Sequence, residues 1–437
     1  MATTRDKGGD LFLGGIRLRT LADDPGVGTP TYVYDLSAIA LEARELRSSF
    51  EGAPHLVAFA VKANSAGPIV RTLAREGCGA DVVSGAELGL ALECGIAPDH
   101  VVYSGVAKTD DELDRAILAG PRGIGAIAVE SVEEIGRVDA RAAAARRVAR
   151  LAIRVNPGVE LGELGTHEYI ATGHDEAKFG VARGDLPSAL SALRAAAHTE
   201  LVGFGMHVGS QLTSVTAYVE ASRTLFGIVA NMRAEHGKRL AFVDTGGGFG
   251  IDYGQGPCAR PGDFVRAVRA EQRAAGLEGL ALHVEPGRSL VAPHGVLVAR
   301  VLQTKASRFQ KGVAALKWLL IDAGMNDLLR PALYKARHRI VSLASDAAPS
   351  SNWRVVGPVC ESSDDFGTHG LPESPPAYVA ILDAGAYGYT MASTYNGRPL
   401  PAEVFLEEGR VVDRRSRGSA QAWIAERAGS ANAVRAP

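Results

Sequence analysis

Cysteine is scarce: four residues, Cys78, Cys94, Cys258 and Cys360, serve a chain of 437, and no two of them form a C-x-x-C pair. That scatter excludes a disulfide framework, gives no zinc site, and fits a reducing, cytoplasmic setting. An excess of charge of either sign is also missing, since 47 Lys and Arg face 49 Asp and Glu for a formal net charge of −2. Neither nucleic acid nor an anionic membrane is therefore indicated as a partner, and small molecules of mixed charge are expected. No run of 18 apolar residues occurs, and the polar opening MATTRDKGGD lacks the apolar stretch of a signal segment. The expectation is a protein that does not cross a membrane and shows no export signal. Low-complexity tracts are absent as well.

Glycine, by contrast, is abundant, with 51 residues in a chain whose 46% apolar and 22% charged composition is that of an ordinary globular protein. At roughly 150 residues per domain, the length allows two or three domains. From Leu36 to Arg288 short apolar runs alternate with longer amphipathic ones. The runs at 55–64, 79–84, 100–105, 125–131, 150–157, 201–210, 240–248 and 280–286 are continuously apolar, as parallel strands covered on both faces are. Between them, segments such as TDDELDRAILAG and SVEEIGRVDARAAAAR start at Thr or Ser with an acid three residues on, and others stop at Gly, which is helix-capping chemistry. Eight β/α alternations over about 250 residues have the rhythm of a (β/α)8 barrel, with the doubly wound open sheet as the competing architecture.

After residue 288 the helical rhythm stops. GVLVARVLQTKA, LKWLLIDAG, HRIVSLAS, NWRVVGPV and AYVAILDAG read as strands of a mostly antiparallel β domain, spanning 289–425. TPTYVYD, in the N-terminal segment 1–35, is expected to add a strand to it, and 426–437 reads as a flexible tail.

A (β/α)8 barrel carries its chemistry at the C-terminal ends of its strands, so the residues ending each run matter most. They are Lys62, Asp81 with Ser84, Ser104, Asn156, His207 with Ser210, Gly246-Gly247-Gly248, and Glu285-Pro286-Gly287-Arg288. Taken singly, each has a plain structural explanation: a solvated rim lysine, a hydrogen-bonded histidine, a turn. Together, a lysine, a phosphate-sized glycine loop and a carboxylate match the needs of pyridoxal 5'-phosphate. Lys62 would hold the aldehyde, its amine kept neutral by apolar surroundings. Bare amides of Gly246 to Gly248 would hold the phosphate, Glu285 the pyridine nitrogen, and His207 would stack on the ring. No metal is called for.

The stretches AFAVKAN, DVVSGAEL, KFGV, HVGSQ, DTGGGFGIDY, EPGRSLVAPHG, DAGMNDLLRPALY, VVGPVCESSDDF and GAYGYTMASTYNGRP follow one another in an order and spacing that carry a resemblance. The chain resembles the pyridoxal-phosphate-dependent decarboxylases of the alanine-racemase-like fold type (fold type III, the class-II Orn/Lys/Arg decarboxylases), and among them the diaminopimelate decarboxylases, over nearly its whole length. The resemblance implies Lys62 as cofactor lysine; Asp81, His207, Ser210, Gly246, Gly247, Gly248, Glu285, Gly287, Arg288 and Tyr389 around the cofactor; and Arg288, Arg330, Tyr334, Glu361 and Tyr389 toward substrate. It implies Cys360 as a proton donor reaching across a homodimer, so that the active site is composite.

The implied reaction removes one carboxylate from meso-diaminopimelate, at its D-centre, giving L-lysine as the last step of lysine biosynthesis. Arginines suit the remote carboxylate and Glu361 the remote ammonium. A decarboxylase of ornithine, lysine, arginine or carboxynorspermidine is the alternative within the fold, and a silent binding protein is the alternative outside catalysis. Glu285 argues against a racemase, and the pairing of Lys62 with Cys360 argues against a silent relative. Ala66, Ala86, Glu168 and Ser363 depart from the family's usual residues, and none of these departures removes a group with a chemical role.

Overall fold

The computed structural model describes residues 3–158, 178–236, 240–306, 316–344 and 350–429. The expected departure at Glu168 lies outside them. The chain divides into two compact units: Ile39–Leu290, and the paired segments Met1–Ala38 and Val291–Pro437.

The first unit is a closed barrel of eight parallel strands, β1 (His55–Ala60), β2 (Gly79–Val82), β3 (Val101–Tyr103), β4 (Ala126–Val129), β5 (Ala149–Arg154), β6 (Thr199–Gly205), β7 (Phe242–Gly247) and β8 (Ala281–Glu285), neighbours in space as in sequence. The barrel, not the open sheet, is the architecture adopted. Strands β2, β3 and β4 are buried at every position, which is why they read as unbroken apolar runs.

The capping chemistry holds in detail. Ser84 and Ser131 each accept the N–H of the residue three on, and Thr109 forms a reciprocal capping box with Glu112. Glu112 also accepts the Gly85 N–H at 2.8 Å, so one carboxylate steadies two helix starts, and these backbone donors hold it down at about 2.

In the second unit nine strands form one sheet. Most pairs are antiparallel, but Lys317–Ile321 runs parallel to Ser351–Val356, and Thr31–Asp35 parallel to Ala402–Glu407. Thr31–Asp35 lies between Gly295–Ala306 and Ala402–Glu407, so the N-terminal strand does join the β domain. The core beneath includes Leu13, Leu18, Val33, Val296, Val298, Val404 and Leu406.

The segment 426–437, expected as a flexible tail, starts inside a helix. Residues 426–428 close a helix, Ala420–Ala428, whose start is capped by Ser419 and whose Trp423 packs beside Gly397, while 430–437 lie outside the described residues. Among the described residues no helix is long and apolar enough to cross a membrane.

Candidate active site

Strand β1 stops at Ala60, and Lys62 stands on the short turn Val61–Ala63 that follows. Its ammonium donates to Asp81 Oδ2 at 2.7 Å; Asp81 is fully buried, whereas the lysine side chain is 37% exposed. It thus stands beyond the apolar strand rather than within it. The turn lifts Lys62 off the strand and sets its amine against a buried carboxylate. The turn is fixed from the opposite side: Ala60 donates to the Pro286 carbonyl at 3.1 Å, and a Cβ on Gly287 would come within 2.9 Å of that of Ala63. Glycine at 287 lets the end of β8 clamp the lysine turn.

The glycine loop is a β-bulge. Asp244 pairs with His283 and Gly247 with Glu285, so β7 holds one residue more than β8 over this span. Gly246 takes a left-handed φ of +73°, and a Cβ on Gly247 would lie 1.9 Å from the Glu285 carbonyl oxygen. The glycines are thus required by close backbone packing as well as by what a ligand would need. Gly246 donates to Asp244 Oδ1 at 2.8 Å. From the long helix Thr216–His236, the buried Tyr218 hydroxyl lies 2.9 Å from Thr245 Oγ1 and 3.1 Å from the Gly246 carbonyl, buttressing the bulge from outside.

His207 Nδ1 accepts from the Gly247 N–H at 3.4 Å and lies 3.6 Å from Glu285 Oε2. Burial, with Arg154 and Lys62 adding their charge, pushes the imidazole down to about 3, so His207 is neutral with its proton on Nε2. Burial pushes Asp81, Glu285 and Asp244 upward; repulsion by Glu285 adds to this for Asp81 and Asp244, and repulsion by Glu130 for Glu285, while Lys62 or Arg154 works against it. Asp244 Oδ2 is buried without a hydrogen-bond partner. Ser104, Arg154, His207, Asp244 and Glu285 line a cavity at this end of the barrel. Arg154 is itself held by Glu130 at 3.2 Å, a carboxylate that also accepts the N–H groups of Gly105 and Gly180 at 2.8 Å each.

Buried Arg288 donates to Tyr253 Oη at 2.8 Å and to Ser210 Oγ at 2.9 Å. Lys62, Asp81, His207, Ser210, Gly246 to Gly248, Glu285, Gly287 and Arg288 are therefore gathered at one end of the barrel. The remaining expected residues belong to the β unit. Arg330 is buried at the start of the single-turn helix Arg330–Tyr334, which Tyr334 ends. Cys360 is exposed, its N–H donating to Asn396 Oδ1 at 2.9 Å, and Glu361 Oε1 accepts from Tyr395 at 2.6 Å. Buried Asp364 orders this loop by accepting the N–H groups of Val359 and Met325, each at 2.6 Å. Tyr389 meets Tyr32 edge to face at 6.2 Å.

Residues 36–292 match the family model of the pyridoxal-binding domain of pyridoxal-dependent decarboxylases. Diaminopimelate decarboxylase of Pseudomonas fluorescens is 37% identical over 414 residues, covering 94% of this chain and 95% of that protein. The chain belongs to the diaminopimelate decarboxylases. Among solved structures, the Helicobacter pylori diaminopimelate decarboxylase complexed with L-lysine superposes with a TM-score of 0.83 at 36% identity, covering 92% of this chain and 97% of that one. The M. jannaschii enzyme in complex with L-lysine gives 0.87 at 33% identity, covering 97% of each.

Several members of this site escape a reading of strand ends. Arg154 sits one turn of the pleat before the Asn156 that was singled out, and its clue is an arginine inside the apolar run RLAIRVNP. Glu130, Tyr218, Tyr253 and Asp364 act through hydrogen bonds between elements distant in sequence, for which no spacing exists to read. Among the described residues, no group of three or more His, Cys, Asp or Glu is arranged to hold a metal.

Proposed function

We propose that the polar cluster at the barrel end holds pyridoxal 5'-phosphate and that the chain, a carboxy-lyase of its family, decarboxylates meso-diaminopimelate at the D-centre to give L-lysine and carbon dioxide. The observation that carries the cofactor reading is the electrostatics of the cluster. Three buried carboxylates, Asp81, Asp244 and Glu285, are all pushed toward protonation, and Asp81 and Asp244 each keep an unpartnered oxygen. A protonated pyridine ring among them would relieve that repulsion.

When bound, this cofactor supplies an electron sink for the pair left behind as carbon dioxide departs. Lys62 would hold its aldehyde carbon and yield it to the substrate amine, with Asp81 placed to take the proton that the lysine must lose to become a nucleophile. Glu285 would face the pyridine nitrogen, neutral His207 the ring, and the Gly246–Gly248 turn with Tyr389 the phosphate. A neutral imidazole suits that position, since a third cation beside Lys62 and Arg154 would oppose the ring's own charge.

The remaining roles follow the substrate's two ends. Arg288 and Arg330 would bind the carboxylate that survives the reaction, Tyr334 would line the same end, and Glu361 would pair with the remote ammonium. Cys360 would return a proton to the carbon that lost carbon dioxide, delivered from the partner copy of a homodimer. Its exposure supports this, as does the contrast with buried Cys78 and Cys94. Four free thiols support a reducing, cytoplasmic location.

The test is carbon dioxide release by the cofactor-loaded protein from a substrate panel. Turnover of meso-diaminopimelate with little of ornithine, lysine, arginine or carboxynorspermidine is expected, and turnover of ornithine alone would overturn the substrate reading.

A further inference from the structure

Arg330 is held by a residue outside every role assigned above. Its Nη1 lies 2.8 Å from His338 Nε2, and His338 Nδ1 lies 2.9 Å from the Leu382 carbonyl oxygen. A carbonyl can only accept and a guanidinium can only donate. One state of the imidazole satisfies both: neutral, proton on Nδ1, Nε2 accepting from the arginine. His338 and Arg330 are both buried, at 3% and 5% exposure.

The local chain is built to deliver this contact. The helix Arg330–Tyr334 lasts one turn, and Lys335 then takes a left-handed φ of +55°, its N–H returning to the Arg330 carbonyl. The reversal carries His338 back beside Arg330. On the far side, Ile340–Ser342 pairs with Tyr378–Ile381, and the ladder extends one step further through Leu382 N–H to Arg339 carbonyl at 2.8 Å. The Arg339–Asp383 ion pair at 2.7 Å locks that step. The Leu382 carbonyl is thereby a fixed point, and the imidazole transmits its position to the guanidinium.

We propose that His338 is a positioning residue for substrate recognition, orienting the guanidinium of Arg330 toward the carboxylate that the substrate keeps. The proposal rests on the reading of Arg330 as a substrate-binding arginine. A carboxylate in the place of His338 would neutralise the guanidinium and compete with the ligand; a neutral imidazole orients it without cancelling its charge.

The test is steady-state kinetics with meso-diaminopimelate, together with L-lysine binding by calorimetry, on cofactor-loaded wild type and four variants. His338→Phe keeps the ring volume and loses both hydrogen bonds. His338→Asn keeps a donor for Leu382 and loses the acceptor, whereas His338→Gln keeps an acceptor at the reach of Nε2. His338→Phe and His338→Asn are expected to raise KM, and the Kd for L-lysine, by roughly 10- to 100-fold, the loss typical of a hydrogen bond to a charged group, with kcat within about twofold. His338→Gln is expected to stay within about threefold of wild type on all three.

Arg330→Leu separates the two readings. If it leaves KM unchanged, the substrate role of Arg330 fails and the proposal with it. If it raises KM while His338→Phe does not, the positioning role alone is overturned. Equal loss in the Phe, Asn and Gln variants, with kcat and Tm falling together, would mean that His338 only supports the fold, and also overturns the proposal.

Discussion

His207 is buried close to the positive charges of Arg154 and Lys62, and that burial, helped by the charges, gives it a measurable signature. Its folded pKa, about 3, is below the ordinary 6.5, so between these values the unfolded chain takes up a proton that the folded chain refuses. The associated stability is present above pH 6.5 and is lost as pH falls toward 3. Denaturation of wild type and His207→Gln across that range should show wild type losing stability relative to the variant as the pH drops; a constant difference would mean that the imidazole titrates normally. Lys62, His207 and Glu285 were legible because a barrel puts its chemistry at strand ends. The contact of Lys62 with Asp81 was not, since Asp81 reaches it from the next strand.

At the scale of elements, the β7 bulge and its support from helix Thr216–His236 position the glycine turn. Gly247→Ala places a methyl group 1.9 Å from a β8 carbonyl, so β7 and β8 must separate. Loss of the bound cofactor's visible absorbance is expected, with destabilisation on the order of several kcal/mol, readable by denaturant titration. Tyr218→Phe removes a single hydroxyl from behind the turn and should weaken cofactor affinity by about twofold to tenfold, measured by titrating the apoprotein. Wild-type affinity in Tyr218→Phe would show that the buttress does not reach the site. The helices and strands themselves were readable from caps and apolar runs. The bulge was not, because a one-residue register shift between β7 and β8 leaves no local mark beyond three glycines, which any turn could share.

For the whole molecule, the two-unit division follows from which apolar surfaces meet. Leu13, fully buried, packs in one core with Val33, Val298 and Leu406, so residues near the N-terminus fold with strands almost four hundred positions away. Leu13→Ala should destabilise the β unit by about 2–5 kcal/mol, seen as an earlier unfolding transition in denaturant. A composite site predicts complementation: Lys62→Ala and Cys360→Ala, each inactive, should regain partial activity when their subunits exchange, and no recovery after verified exchange would refute sharing. The alternation of strands and helices made the barrel legible, and the end of that rhythm marked the β domain. The roles of β-unit residues such as Arg330 and Cys360 came only through the family resemblance, because no local pattern singles out a substrate arginine or an acid cysteine. The most direct measurement of the central claim is chiral analysis of the product from meso-diaminopimelate, with carbon dioxide counted alongside. L-lysine alone, equimolar with carbon dioxide, is the predicted result; D-lysine, a mixture of the two, or no carbon dioxide would contradict it.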